Sequence, residues 1–212
     1  MKVELQNVLP EDIEKRSFEI IGEEMGEIDL DPLEEPVIKR VIHTSADFDY
    51  LQNLKFSKDA VRIGMEALKK GAIIVTDTQM ARAGINKATV EALGGDVFCF
   101  MADEDVAAAA KANGTTRATA SMDKAAELDR PVILAIGNAP TALVRIYELV
   151  KEGKLKPELI IGVPVGFVNV VESKELIMEL DVPYIVAKGR KGGSNVAAAI
   201  CNAMLYQCRP RG

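Results

Sequence analysis

The sequence predicts a single-domain α/β fold: a mostly parallel β-sheet with helices on both faces, preceded by two N-terminal helices. Three observations carry this expectation. Short apolar runs, each the length of a buried strand, recur between residues 72 and 186. Helix-like stretches separate them, and strand–helix–strand repetition implies parallel pairing. No internal repeat, low-complexity tract or linker interrupts the chain, so residues 1–212 read as one domain.

Taken in order, residues 10–25 predict a first helix whose apolar arc is Ile13, Phe18, Ile20, Ile21 and Met25, with Ser17 inside that arc. A hydroxyl there either bonds back to the helix or faces a cavity beside the core. Residues 36–47 predict a second helix with Val37, Ile38, Val41 and Ile42 as its apolar stripe. At about 100° per residue, Arg40, His43 and Asp47 cluster on another face. The strands expected next are Ala72–Val75, Asp96–Phe100, Pro131–Ala135, Glu158–Ile161 and Pro183–Val186. The helices around them are 58–70, 86–93, 103–112, 140–152, 171–180 and 194–207. Pro140 suits a first helical turn and Ser194 an N-cap. The alanine-rich run Val196–Ile200 allows close packing against the sheet or a partner.

In such sheets ligands bind beyond the carboxyl ends of the strands. The segments there are Thr76–Gly84, Gly137–Thr141, Gly162–Phe167 and Lys188–Asn195, all rich in Gly, Thr, Asn or Pro. Exposed backbone donors and helix starts at one edge favour an anion, although every parallel α/β protein also needs turns here. None of these segments matches GxxxxGK[ST], a GxGxxG after a strand, or GxSxG, so the usual signatures of nucleoside triphosphatases, nicotinamide dinucleotide enzymes and serine hydrolases are missing.

Composition narrows the field further. The apolar fraction of 48% with 27% charged residues is that of a globular protein. No run reaches the roughly 18 apolar residues of a membrane span, and residues 1–7 lack a signal peptide's hydrophobic stretch, so a cytoplasmic chain is expected. Net charge −6 and the absence of Trp argue against nucleic-acid binding. Cys99, Cys201 and Cys208 form no CxxC pair, and Cys99 and Cys201 read as small buried hydrophobes. With a single histidine, a His-based metal site has no HxH or HExxH set to build on.

That histidine is His43. Imidazole, with an ordinary pKa of about 6.5, exchanges protons near neutrality, so any near-neutral imidazole chemistry in this chain is confined to one position. Off the apolar stripe, it points either to solvent or into a pocket. Arg117, within Asn113–Thr119, lies in a hydroxyl-rich segment expected to be a flexible loop, as a carboxylate clamp or as a solvated charge.

Six colinear motifs now stand together: Ile13–Phe18, Arg40–Asp47, Thr76–Met80, Gly137–Leu143, Gly162–Phe167 and Gly189–Ser194. In this combination the chain resembles the precorrin-8X methylmutases, also called cobalt-precorrin-8 methylmutases, of cobalamin biosynthesis. The resemblance implies an isomerase that moves a methyl group from C-11 to C-12 of a corrinoid macrocycle, acting as a homodimer without an added cofactor. It implies that His43 is the proton donor and acceptor, and that Ser17 and Arg40, with Arg117 as an addition, bind substrate. Arg40, one turn from His43, would anchor a peripheral carboxylate and couple binding to proton delivery. The rival reading is a non-catalytic corrinoid-binding or carrier protein, which needs the same anion-friendly loops but no titrating group.

Overall fold

The computed structural model describes residues 8–209. After a 3-10 turn at Pro10–Asp12, the elements run α1 (Ile13–Met25), α2 (Glu35–Ser45), α3 (Tyr50–Asn53), β1 (Leu54–Phe56), α4 (Ala60–Lys69), β2 (Ile73–Thr76), α5 (Gln79–Gly84) and α6 (Lys87–Ala92). There follow β3 (Asp96–Phe98), α7 (Glu104–Asn113), α8 (Arg117–Ala126), β4 (Val132–Ile136), α9 (Pro140–Lys151), β5 (Leu159–Gly162), α10 (Val170–Met178), β6 (Tyr184–Ala187) and α11 (Ser194–Cys208).

The strands form one sheet in the order β1-β6-β5-β4-β2-β3. All pairs are parallel except β1 with β6, where Lys55 faces Val186 on an antiparallel edge. Successive side chains of a strand point to opposite faces, and here both faces are covered. Ile74, Ile133, Ile161 and Ile185 pack with α2, α4, α5 and α11 on one side. Val75, Leu134, Ile160 and Val186 pack with α7 to α10 on the other. Full burial of each such side chain contributes about 1.5–3 kcal/mol. A strand buried on both faces therefore reads as a continuous apolar run, which is why β2, β4, β5 and β6 were predictable.

The α/β class, the parallel sheet and the two leading helices agree with expectation; several local features differ. β1 was not expected, because only Leu54 of its three residues is buried and no apolar run marks it. Thr76–Gly84 is not all loop: the Thr78 hydroxyl accepts from the Ala81 N–H at 3.0 Å and starts α5 directly at the strand end. Arg117 does not lie in a flexible loop. Gly114, at φ 63°, closes α7, and Thr116 caps α8 by accepting from the Thr119 N–H at 3.1 Å, making Arg117 the first residue of that helix. Small buried residues (Ala118, Ala120, Ala125) hold α8 down, a weak periodic signal. α1 buries only Ile21 from the predicted arc, and Ile13 is 54% exposed.

α11 is the central helix of its face. Val196, Ala197, Ala198, Ile200, Ala203 and Met204 are buried, and the small side chains let it lie close to α2, α4 and α5. Pro140 opens α9 as expected. Ser194 is the first residue of α11 and makes no capping bond, which corrects the N-cap expectation. Its hydroxyl lies 2.7 Å from that of Thr78 instead, tying α11 to the β2 end. Cys99 and Cys201 are buried, in line with their reading as small hydrophobes.

Candidate active site

α2 carries the candidate histidine because its apolar stripe goes inward. Val37, Ile38, Val41 and Ile42 are buried, and His43 is turned outward and exposed. The ring is not left bare. It stacks on Phe18 of α1, with centroids 5.2 Å apart and planes 14° apart. His43 forms a shared wall between two concavities. One, of about 260 Å³, is lined by Arg40, Thr44, Gly84, Asn195 and Asn202. The other, of about 320 Å³, is lined by Ser17, Ile20, Glu24, Ala46 and Phe48.

Arg40 is one turn away and faces α1 and α11. Its guanidinium carbon sits 4.7 Å from the Phe18 ring centroid and 5.1 Å from that of Tyr206. Nη1 donates to Glu14 in an ion pair with α1. A cation between two aromatic faces, with a carboxylate on its edge, is held in one orientation. Arg40 lines the smaller His43 concavity and a third of about 430 Å³ with Phe18, Lys39 and Tyr206. The ionic partner of this guanidinium is therefore the Glu14 carboxylate and not the imidazole.

The Ser17 hydroxyl donates to the Ile13 carbonyl at 2.9 Å, the back-bonded alternative, yet the residue also borders a concavity with His43. Asp47 departs from expectation. α2 ends at Ser45, and Ala46 adopts φ 52° with its N–H on the Ile42 carbonyl, so the chain turns off the helix before Asp47. Asp47 Oδ2 instead receives Lys191 Nζ at 2.6 Å, as does Asp49 Oδ2. The lysine holds the Asp47 carboxyl below its ordinary value, and the two carboxylates raise the lysine.

Arg117 stands elsewhere on the strand-end edge. The neighbouring Thr116 hydroxyl lies 3.0 Å from that of Thr141, in the first turn of α9. Neither concavity that contains His43 includes Arg117. Ser17, Arg40 and His43 are thus brought together, and Arg117 is not among them.

Two buried charges shape the strand-end loops. Asp77, 1% exposed, accepts N–H bonds from Gly137, Asn138 and Ala139 at 2.8, 2.8 and 2.6 Å, fastening the β2 loop to the β4 loop. Burial pushes its carboxyl up, against the downward pull of those three donors. Lys174 of α10, also 1% exposed, donates through Nζ to the carbonyls of Gly189 and Lys191 at 2.7 and 2.8 Å. Burial lowers it from 10.5 to about 8. Sequence reasoning missed both, along with Glu14 and Tyr206. Asp77, directly after an apolar strand, was the one with a visible signal.

Among the described residues, no group of three or more His, Cys, Asp or Glu is arranged to hold a metal ion. No helix among them is long and apolar enough to cross a membrane.

Comparison with known proteins places these features in context. The family model described as precorrin-8X methylmutase matches residues 12–207. The cobalt-precorrin-8 methylmutase of Priestia megaterium is 46% identical over 197 residues, covering 93% of this chain and 88% of that protein. The enzyme of the same name from Salmonella typhimurium is 47% identical over 206 residues, covering 94% and 96%. The crystal structure of precorrin-8X methylmutase from Thermus thermophilus superposes with a TM-score of 0.85 at 39% identity, covering 93% and 97% of the two chains.

Proposed function

The chain belongs to the precorrin-8X methylmutase family, and from that premise we propose that it moves a methyl group from C-11 to C-12 of a precorrin-8 macrocycle with His43 as the proton donor and acceptor. The family makes it an intramolecular methyl transferase, an isomerase of cobalamin biosynthesis. The finer reading rests on one observation: the only imidazole of the chain is seated on Phe18 as the wall between two concavities, beside Arg40.

The chemistry follows from that seat. Substrate and product are isomers, so any proton lent to the macrocycle must be returned, and one residue that gives and takes it suffices. Protonation redistributes charge through the conjugated ring while the methyl group migrates, and the imidazole then recovers the proton. A positioned general acid supplies roughly 10²–10⁴-fold, about 3–5 kcal/mol. Holding a large multi-carboxylate ring in one orientation supplies the remainder.

Arg40 serves that second task. A guanidinium has five N–H donors, and the Glu14 contact engages Nη1. A peripheral carboxylate of the substrate takes others, or displaces Glu14. Ser17 borders the pocket beyond His43 and contributes its hydroxyl. Arg117, on the rim by α9, reaches a more distant carboxylate. The enzyme acts as a homodimer in this reading, and the exposed Met80, Val165, Phe167 and Val168 supply apolar surface for a second copy to cover. Residues 1–212 act as one methylmutase domain.

The test is incubation with precorrin-8 and its cobalt form, followed by absorption spectra, for the native chain and His43→Ala. The native chain converts the chromophore, and His43→Ala binds product but turns over 10²-fold or more slowly. Normal turnover by His43→Ala removes the proton role. An unchanged chromophore with the native chain, despite tight binding, indicates a carrier.

A further inference from the structure

Lys174 is an unusual side chain for its location. Lysine is almost never fully buried without a partner, yet Lys174 is 1% exposed and, among the described residues, has no carboxylate as a hydrogen-bond partner. Its two acceptors are main-chain carbonyls of one loop, Gly189 and Lys191, which flank Arg190. The same loop is held from other sides. The Gly166 N–H donates to the Arg190 carbonyl at 3.1 Å, and the Gly193 N–H to the Val163 carbonyl at 2.8 Å. Gly192 passes so close to Val163 that an added Cβ would overlap its carbonyl oxygen. The loop is therefore fixed in both position and register.

What the loop does with that rigidity is visible at Lys191. Its side chain bridges Asp47 and Asp49, both at 2.6 Å. These two residues begin the chain after α2, four and six positions beyond His43. A continuous set of contacts runs from Lys174, through the 189–191 backbone and Lys191, to the end of the helix that carries the imidazole. The set spans three parts of the chain that share no local sequence.

We propose that Lys174 is a positioning residue for the methyl shift, fixing the 189–191 loop so that Lys191 holds the C-terminal end of α2 and thereby the attitude of His43. The inference rests on the proton-transfer reading of His43 and adds to it a support far from the reacting atoms. Lys174 itself touches no substrate. Hydrogen bonds from a buried cation are stronger than neutral ones, and their two carbonyl acceptors would be left without these donors once the amine is removed.

The test compares Lys174→Met, Lys191→Met and the double variant in the intact protein. Turnover is measured per product-binding site, and amide hydrogen exchange is measured across 186–195. Lys174→Met is expected to lower kcat about tenfold with KM changed less than threefold, and to speed exchange in the loop. Lys191 is 46% exposed and its ion pairs are correspondingly weak, so Lys191→Met is expected to lower kcat about three- to fivefold. Residues acting in series are non-additive, and the double variant should be no slower than Lys174→Met alone.

Unchanged loop exchange in Lys174→Met overturns the inference, as do full activity, an additive double variant or an inert Lys191→Met. If Lys174→Met fails to fold, the surface substitution Lys191→Met still decides the matter. His43→Ala, run alongside, separates the two claims: its normal turnover ends the proton reading, whatever the lysine variants do to the loop.

Discussion

The imidazole of His43 lies parallel to the Phe18 ring, 5.2 Å between centroids, and the same ring carries the Arg40 guanidinium at 4.7 Å. One phenyl group of α1 thus seats both the proposed proton carrier and the proposed carboxylate anchor. α1 buries only Ile21, so Phe18 serves the site more than the core.

Phe18→Leu is therefore expected to separate activity from stability. Losing the aromatic platform removes about 0.5–1 kcal/mol of contact to each of two side chains. Turnover should fall roughly fivefold to tenfold, while thermal unfolding shifts by only a few degrees. A loss of stability without loss of turnover contradicts this account.

Arg40→Lys keeps the charge but loses the plane that fits between Phe18 and Tyr206. Lysine cannot offer the same forked donors. The expected result is a KM raised about tenfold with kcat within threefold, measured by initial rates. A selective fall in kcat would assign Arg40 to the chemical step.

Gly192→Ala should damage the strand-end loop by sterics alone. Its Cβ would overlap the Val163 carbonyl oxygen, and φ is 158°, where side chains are rarely accommodated. Overpacking and backbone strain together cost about 2–4 kcal/mol, measurable as a lowered denaturant midpoint. A midpoint equal to the native value is the contrary result.

Asp77→Asn is expected to be costly although it is nearly isosteric. Three backbone N–H groups point at the carboxylate, and an amide replaces one acceptor with a donor. Leaving buried donors unsatisfied costs about 1–3 kcal/mol. Denaturant titration should register a loss in that range, with faster amide exchange at Gly137 to Ala139.

Lys174 gives a pH-dependent signature. Burial lowers it from 10.5 to about 8. Below about pH 8 both folded and unfolded chains carry its proton; between about 8 and 10.5 only the unfolded chain does. Stability then rises with pH across that window, by at most about 1.4 kcal/mol per pH unit from this group. The difference in stability between the native chain and Lys174→Met, followed from pH 7.5 to 10.5, should contain that rise. A flat difference would show that the lysine is not desolvated.

Much of the architecture was legible before folding was considered. Doubly buried strands announce themselves as apolar runs, and the stripe Val37, Ile38, Val41, Ile42 sets His43 facing away from the core. β1, α5 and α8 were not legible: β1 is three residues long with only Leu54 buried, α5 begins at a single Thr cap, and α8 is held by alanines and the one large apolar side chain of Met122. Of the proposed site, Ser17 and Arg40 each share a concavity with His43, whereas Arg117 stands apart, since a local segment does not specify what will lie opposite it.

The amino-acid order by itself determined the layering of sheet and helices and the outward face of the one histidine, because both follow from the period of apolar residues along a local segment. Only the tertiary structure decided the partners: Phe18 for His43, Glu14 for Arg40, and Lys191 for Asp47 across 144 residues. Periodicity specifies which way a side chain leaves its element. What it meets there is set by how distant elements pack against a common sheet.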